Sequence, residues 1–116
     1  MNLYHCMIDL KNDAKAIVFA KALTDWMDHL SQQGHVSSWR LLRRKLNLTS
    51  DAHRDFILEV EVAGLDALDR VFRYVCSQSD EVEQLYSTVH SMIARVDYGL
   101  YRPFPDPERV ERVALL

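Results

Sequence analysis

The stretch Asp55-Phe56-Ile57-Leu58-Glu59-Val60-Glu61-Val62 alternates Phe56, Leu58, Val60 and Val62 with Ile57, Glu59 and Glu61. Successive side chains of a strand point to opposite faces, so this is the pattern of a strand with one apolar face. It settles the reading of residues 36–46 before it. There Ser37, Trp39, Leu41, Arg43 and Lys45 fall on one side and Ser38, Arg40, Leu42, Arg44 and Leu46 on the other, letters that also suit a basic helix. Between the two lies Asn47-Leu48-Thr49-Ser50-Asp51-Ala52-His53-Arg54, a turn-forming stretch with no helix start. A hairpin centred near Ser50 and Asp51 sets Leu41 against Val60, Trp39 against Val62 and Arg40 against Glu61. Apolar then meets apolar, and charge meets opposite charge.

Upstream, residues 3–10 also alternate, with Tyr4, Cys6, Ile8 and Leu10 opposed to Leu3, His5, Met7 and Asp9. Asn12 and Asp13 offer caps for a helix from Ala16 to about Gln33, because their side-chain oxygens can accept from the first free N–H groups. Its stripe is Ile17, Ala20, Leu23, Met27 and Leu30, widened by Val18, Phe19, Ala22 and Trp26, and Gly34 stands where a left-handed residue ends a helix. Downstream of Gly64, Leu65, Leu68, Val71, Phe72 and Val75 recur at helical spacing to about Ser77. Ser79, with Asp80 and Glu81 behind it, restarts a helix whose stripe is Val82, Leu85, Tyr86, Val89 and Ile93. Residues 95–102 alternate again: Val96, Tyr98 and Leu100 on one face, Asp97, Gly99 and Tyr101 on the other. Pro103, Pro105 and Pro107 end that strand, and Asp106-Pro107-Glu108 reads as the start of a short last helix.

The order is βαββαβ with the second helix broken. Right-handed crossovers then give an α+β fold with a four-stranded antiparallel sheet in the order 4-1-3-2 and the helices on one face. The covered face should carry Tyr4, Cys6, Ile8, Leu41, Phe56, Leu58, Val60, Val96, Tyr98 and Leu100. The other should carry His5, Met7, Asp9, Arg40, Leu42, Ile57, Glu59, Glu61, Asp97 and Tyr101. Met7, Leu42, Ile57 and Tyr101 make that open face more apolar than water requires. A second copy packed face to face would cover it, so a homodimer is expected. The single domain spans residues 1–102, with a proline-rich tail over 103–116.

At 116 residues, 48% hydrophobic and 27% charged, the chain suits one soluble domain. A net charge of −3 argues against a nucleic-acid partner, which would want a basic surplus. Nothing resembles a secretory signal or a membrane span, so a cytoplasmic protein without membrane contact is expected. The two cysteines, Cys6 and Cys76, lack a metal or redox spacing and read as small reduced core residues.

The element order over residues 1–102 resembles the dimeric α/β-barrel (ferredoxin-like) superfamily, which includes stress-responsive A/B barrel proteins and antibiotic-biosynthesis-type monooxygenases. The most specific part runs from Ser79-Asp80-Glu81-Val82-Glu83-Gln84-Leu85 through Ile93-Ala94-Arg95-Val96-Asp97-Tyr98. Where stress-responsive members usually open that helix with a His-Pro-x-His-like sequence, this chain has Ser79-Asp80, so no role of that histidine carries over. The resemblance implies a homodimeric α/β barrel whose paired sheets enclose a cavity. Haem degradation, carried in the monooxygenase group by an Asn, a Trp and a His in set places, finds no support in Asn2, Trp26 or Trp39.

The candidate site lies on the open face. His5 on the first strand should have Glu59 and Asp97 on the flanking strands, an arrangement that suits a general base or a polar patch inside an interface. Arg40, Arg43, Arg44 and Lys45 form a basic cluster that alternation divides between two faces, as on a charged edge strand. His29, His35, His53 and His90 fall on exposed helix positions or in loops. Phosphate-binding loops, dinucleotide fingerprints, nucleophile triads and zinc motifs are absent from the sequence. The expectation is a small-ligand-binding dimeric barrel, with a pocket lined by His5, Met7, Arg40, Glu59, Asp97 and Tyr101 and with no cofactor or metal. The alternatives are a cofactor-independent monooxygenase or isomerase using His5 as acid and base, and a purely structural oligomerisation module.

Overall fold

β1 (Asn2–Leu10) buries Cys6, Ile8 and Leu10 and leaves Met7 and Asp9 partly open, as period two requires. The computed structural model describes residues 1–48, 50–76 and 79–107 of the chain. Asn12, in extended backbone, accepts from the Ala14 N–H at 3.0 Å and starts a short 3-10 turn over Asp13–Lys15, which runs into α1 (Ala16–Gln32). Gly34 follows with φ of 78°, a left-handed conformation that glycine adopts without a steric cost. β2 (Ser38–Arg43) and β3 (Phe56–Val62) form the hairpin, and α2 (Leu65–Cys76) and α3 (Asp80–His90) come next. The Ser79 hydroxyl caps α3 by accepting from Val82 N–H at 3.3 Å. β4 (Ile93–Tyr101) completes the sheet. The helix predicted from Asp106 onward falls mostly outside the described residues.

The four strands pair antiparallel in the order β2-β3-β1-β4, which is 4-1-3-2 read from the other edge. All helices cover the face of Cys6, Ile8, Leu58 and Val60, giving the ferredoxin-like α+β fold. Phe19, Leu23, Val62 and Val82 are the most fully enclosed side chains, and Phe19 meets Phe56 at 5.4 Å between ring centroids. Among the described residues, no helix is long and apolar enough to cross a membrane.

The hairpin register differs from the predicted one by two residues. Arg40 stands opposite Glu59, Leu41 opposite Leu58 and Trp39 opposite Val60. The cause is the loop. Arg44 N–H donates to the Asp55 carbonyl at 2.8 Å, and a tight turn at Lys45–Leu48 uses left-handed Leu46 and Asn47, so the midpoint falls earlier than Ser50. An even shift keeps every side chain on its own face, and Glu59 and Glu61 are equivalent partners for Arg40 by pattern alone.

Three further expectations change. On α1 the inward stripe is Ala16, Phe19, Leu23, Trp26, Met27 and Leu30, while Ile17 is 83% exposed. With three apolar residues in succession at 17–19, sequence leaves the inward member open, and Phe19 is the one in phase with Leu23. Leu65 and Phe72 on α2 are exposed or half-exposed, and so are Tyr98 and Leu100 on β4, whose edge the helices do not reach fully over. Cys76, at the last turn of α2, is exposed and not in the core.

Candidate functional site

On the open face the strand register builds two rows. The first runs Arg40, Glu59, His5, Gly99; the second runs Leu42, Ile57, Met7, Asp97. Arg40 Nε donates to Glu59 Oε2 at 2.6 Å, and the other carboxylate oxygen lies 4.0 Å from His5 Nδ1. Tyr101 leans edge-on toward His5 with ring centroids 5.8 Å apart. It can do so because residue 99 is glycine: a Cβ there would stand 2.9 Å from the Tyr101 ring. The structure therefore brings together His5, Arg40, Glu59 and Tyr101, with Met7 in the next row.

Asp97 is not brought to His5. It pairs across from Met7 and accepts from Arg54 Nε at 3.0 Å. That hydrogen bond, with the charges of Arg95 and Arg54, holds the Asp97 carboxyl below its ordinary value. Arg54 also reaches Asp9 at 3.5 Å, and Asp9 accepts from the Asp55 N–H at 2.9 Å. Arg43 and Arg44 close on Asp55 from the β2 side. Of the basic cluster, Arg43 and Arg44 are thus paired with Asp55 and Arg40 with Glu59. Among the described residues, no group of three or more His, Cys, Asp or Glu is placed to hold a metal ion.

A cavity of about 430 Å³ lies on the opposite side, between the sheet and the helices of one chain. Its walls are mostly aliphatic: Ile8, Leu58 and Val60 from the sheet, Leu23 and Met27 from α1, Val71 from α2. Set among them are the polar residues Tyr4, Tyr86, Tyr98, Cys6 and His90. Tyr4 and Tyr98 stack at 5.6 Å, and Tyr86 stacks on His90 at 3.9 Å, one α3 turn away. Trp26 closes on Tyr86 edge-on at 6.0 Å.

The electrostatics of this cavity are uniform. Burial raises the Tyr4 and Tyr98 hydroxyls above their ordinary values, and the neighbouring Cys6 thiol raises both further. Burial alone pushes the Cys6 thiol up to about 12. Desolvation by the side chains packed on it lowers the His90 imidazole, although the residue as a whole is exposed. Tyr4, Cys6, Tyr98 and His90 are therefore all uncharged near neutral pH. The cavity offers O–H donors and a neutral ring nitrogen in an apolar shell, the composition of a small-molecule site.

Sequence reasoning missed these residues as functional. The available signal was weak: two tyrosines on the covered face where aliphatics would pack as well, and Tyr86 and His90 at i, i+4 beside the α3 stripe. His29 also differs from its expected exposure, being largely enclosed against Tyr74 and Trp26.

The sheet order and the one-sided helices place the chain in the ferredoxin-like α+β class. Within that class the chain belongs to the family of unknown function DUF6614, whose profile matches residues 1–116. Solved structures agree on the fold. A dimeric ferredoxin-like protein of unknown function from Jannaschia sp. CCS1 is 10% identical, with 89% of this chain and 100% of that one covered at a TM-score of 0.63. A DABB family protein from Mesorhizobium loti is 20% identical over 88% of this chain and 95% of that one, TM-score 0.60. SnoaB, a cofactor-independent oxygenase from Streptomyces nogalater, is 12% identical over 88% and 90%, TM-score 0.60. No curated protein matches the sequence.

Proposed function

We propose that this protein is a homodimer that binds a small, uncharged, largely apolar molecule bearing a hydrogen-bonding oxygen. The observation that carries this reading is the cavity of about 430 Å³ between sheet and helices, apolar in its walls and uncharged at every polar group whose state is displaced. A charged ligand would lose its hydration there with no counter-charge in return. His5, Met7, Arg40, Glu59, Asp97 and Tyr101 belong to the contact with the second copy, where they would also wall any space left between the paired sheets. The dimeric ferredoxin-like relative supports the pairing by analogy of fold.

A second reading is favoured by one observation. His90, neutral and stacked on Tyr86, is placed on the cavity wall where it could take a proton from a bound molecule. A cofactor-independent oxygenase or isomerase would then use His90 in place of His5.

Native mass spectrometry of the purified protein tests the first reading, followed by titration with N-phenyl-1-naphthylamine, an uncharged apolar fluorophore. Saturable binding that is lost in Val71→Trp and kept in Met7→Trp is the expected result. Loss in Met7→Trp alone would move the ligand to the space between the sheets, and no binding in either background would leave a structural module.

A further inference from the structure

α2 forms one wall of the cavity through Leu68, Val71, Phe72, Val75 and Cys76. Yet its buried residues are only Ala67 and Leu68, at its N-terminal end, where Leu68 N–H also donates to the Gly64 carbonyl at 3.1 Å. In the C-terminal half Val71, Tyr74 and Val75 are only partly buried against the core, and a polar contact adds to their hold. The Tyr74 hydroxyl lies 2.6 Å from His29 Nε2 on α1, and its ring packs at 5.8 Å on His29 and 4.4 Å from His35 just beyond that helix. His29 is anchored in turn. Its ring is parallel to Trp26 at 6.2 Å, and its Nδ1 lies 3.8 Å from the Glu81 carboxylate on α3. Phe72 rests edge-on against Tyr4 at 6.0 Å while 48% exposed.

The geometry points to α2 as a lid over the cavity, fixed at its buried N-terminal turn and latched at its far end by the Tyr74 hydroxyl on His29. This rests on the reading of the cavity as a ligand site and adds how a ligand enters and leaves it. A helix that buries few side chains opens locally at a small fraction of the cost of global unfolding. Opening at Tyr74 lifts Val71, Phe72 and Val75 off the cavity, while α1, α3 and the sheet keep their own contacts. The latch includes the hydrogen bond to His29 and the ring contacts with His29 and His35: strong enough to favour the closed form, weak enough to release on the timescale of ligand exchange. Trp26 connects the two, since it lines the cavity and stacks on the latch histidine.

The test is hydrogen–deuterium exchange of the unliganded full chain, wild type against Tyr74→Phe. Losing one hydroxyl hydrogen bond should speed amide exchange over residues 70–76 about fivefold to tenfold, with α1 and α3 unchanged. His29→Phe should reproduce the pattern. Stopped-flow mixing of Tyr74→Phe with N-phenyl-1-naphthylamine should show association and dissociation rising together by that factor, at nearly constant affinity, as expected for a gate. Unchanged exchange in α2, or equal acceleration in all the helices, would overturn the lid. So would faster exchange with unchanged probe kinetics. Failure of the wild type to bind the probe would count against the ligand reading alone, and the exchange result would still decide whether α2 opens as a unit.

Discussion

Tyr4, Cys6 and Tyr98 occupy covered-face positions that valine or isoleucine would fill with less desolvation of polar atoms. Their cluster makes chemical sense only with the space beside it. His90 shows the same trade in a form that pH can read. Folding lowers its pKa from the ordinary 6.5. Above that value both the folded and the unfolded chain carry neutral His90, and the full stability is present. Below it the unfolded chain takes up a proton that the folded chain resists, so stability is lost as pH falls from 6.5 toward the folded value. His90→Gln should therefore flatten the dependence of melting temperature on pH between about pH 7 and pH 5, measured as the difference from wild type. Asp97, whose pKa is lowered, acts in a separate window: its contribution is present above 3.8 and fades as pH falls through its folded value. Superimposable wild-type and His90→Gln profiles would contradict the placement of His90 against the cavity wall.

Among the elements, α3 is the one whose start the sequence states outright. Ser79 caps it, and Asp80, Glu81 and Glu83 occupy its first turn against the positive end of the helix dipole. Ser79→Ala should cost about 1 kcal/mol, a fall in melting temperature of about 3–6 °C for a domain of this size by calorimetry. The strands were legible for a related reason: alternation fixes which face each residue takes, and face survives an even slip in register. The same property hid the register. Arg40 finds a glutamate at either 59 or 61, and what chose Glu59 was the left-handed pair Leu46 and Asn47, a conformation that suits asparagine but that nothing announces at a leucine. The open-face cluster was legible in part. His5, Glu59 and Arg40 meet because they share a row, whereas the register sets Asp97 one row away opposite Met7, where it pairs with Arg54 from a loop whose course alternation does not describe. The cavity was not legible at all, because an apolar stripe has the same spelling whether the helix above it closes down fully or stands off from the sheet.

At the scale of the whole molecule, cavity and open face are independent propositions, because the cavity is lined by residues of one chain. Leu42, Ile57 and Met7 lie side by side on the open face, and Tyr101 is 58% exposed beside His5. Covering that face with a second copy would bury about 1,200–2,000 Å² if the contact is of ordinary size. Ile57→Glu puts a carboxylate in the middle of the apolar row. In a monomer the position is partly open, so folding should be little affected. In a dimer the charge would be buried without a partner, at about 3 kcal/mol or more, which is roughly a hundredfold in dissociation constant. Glu59→Leu should act in the other direction or not at all, because desolvation of the Arg40–Glu59 pair offsets its attraction once covered. Sedimentation equilibrium of the three proteins separates the cases. A wild type that is monomeric at micromolar concentration, or an Ile57→Glu variant as dimeric as wild type, would remove the pairing through this face. Neither result would touch the cavity, whose ligand would then be a property of the single chain.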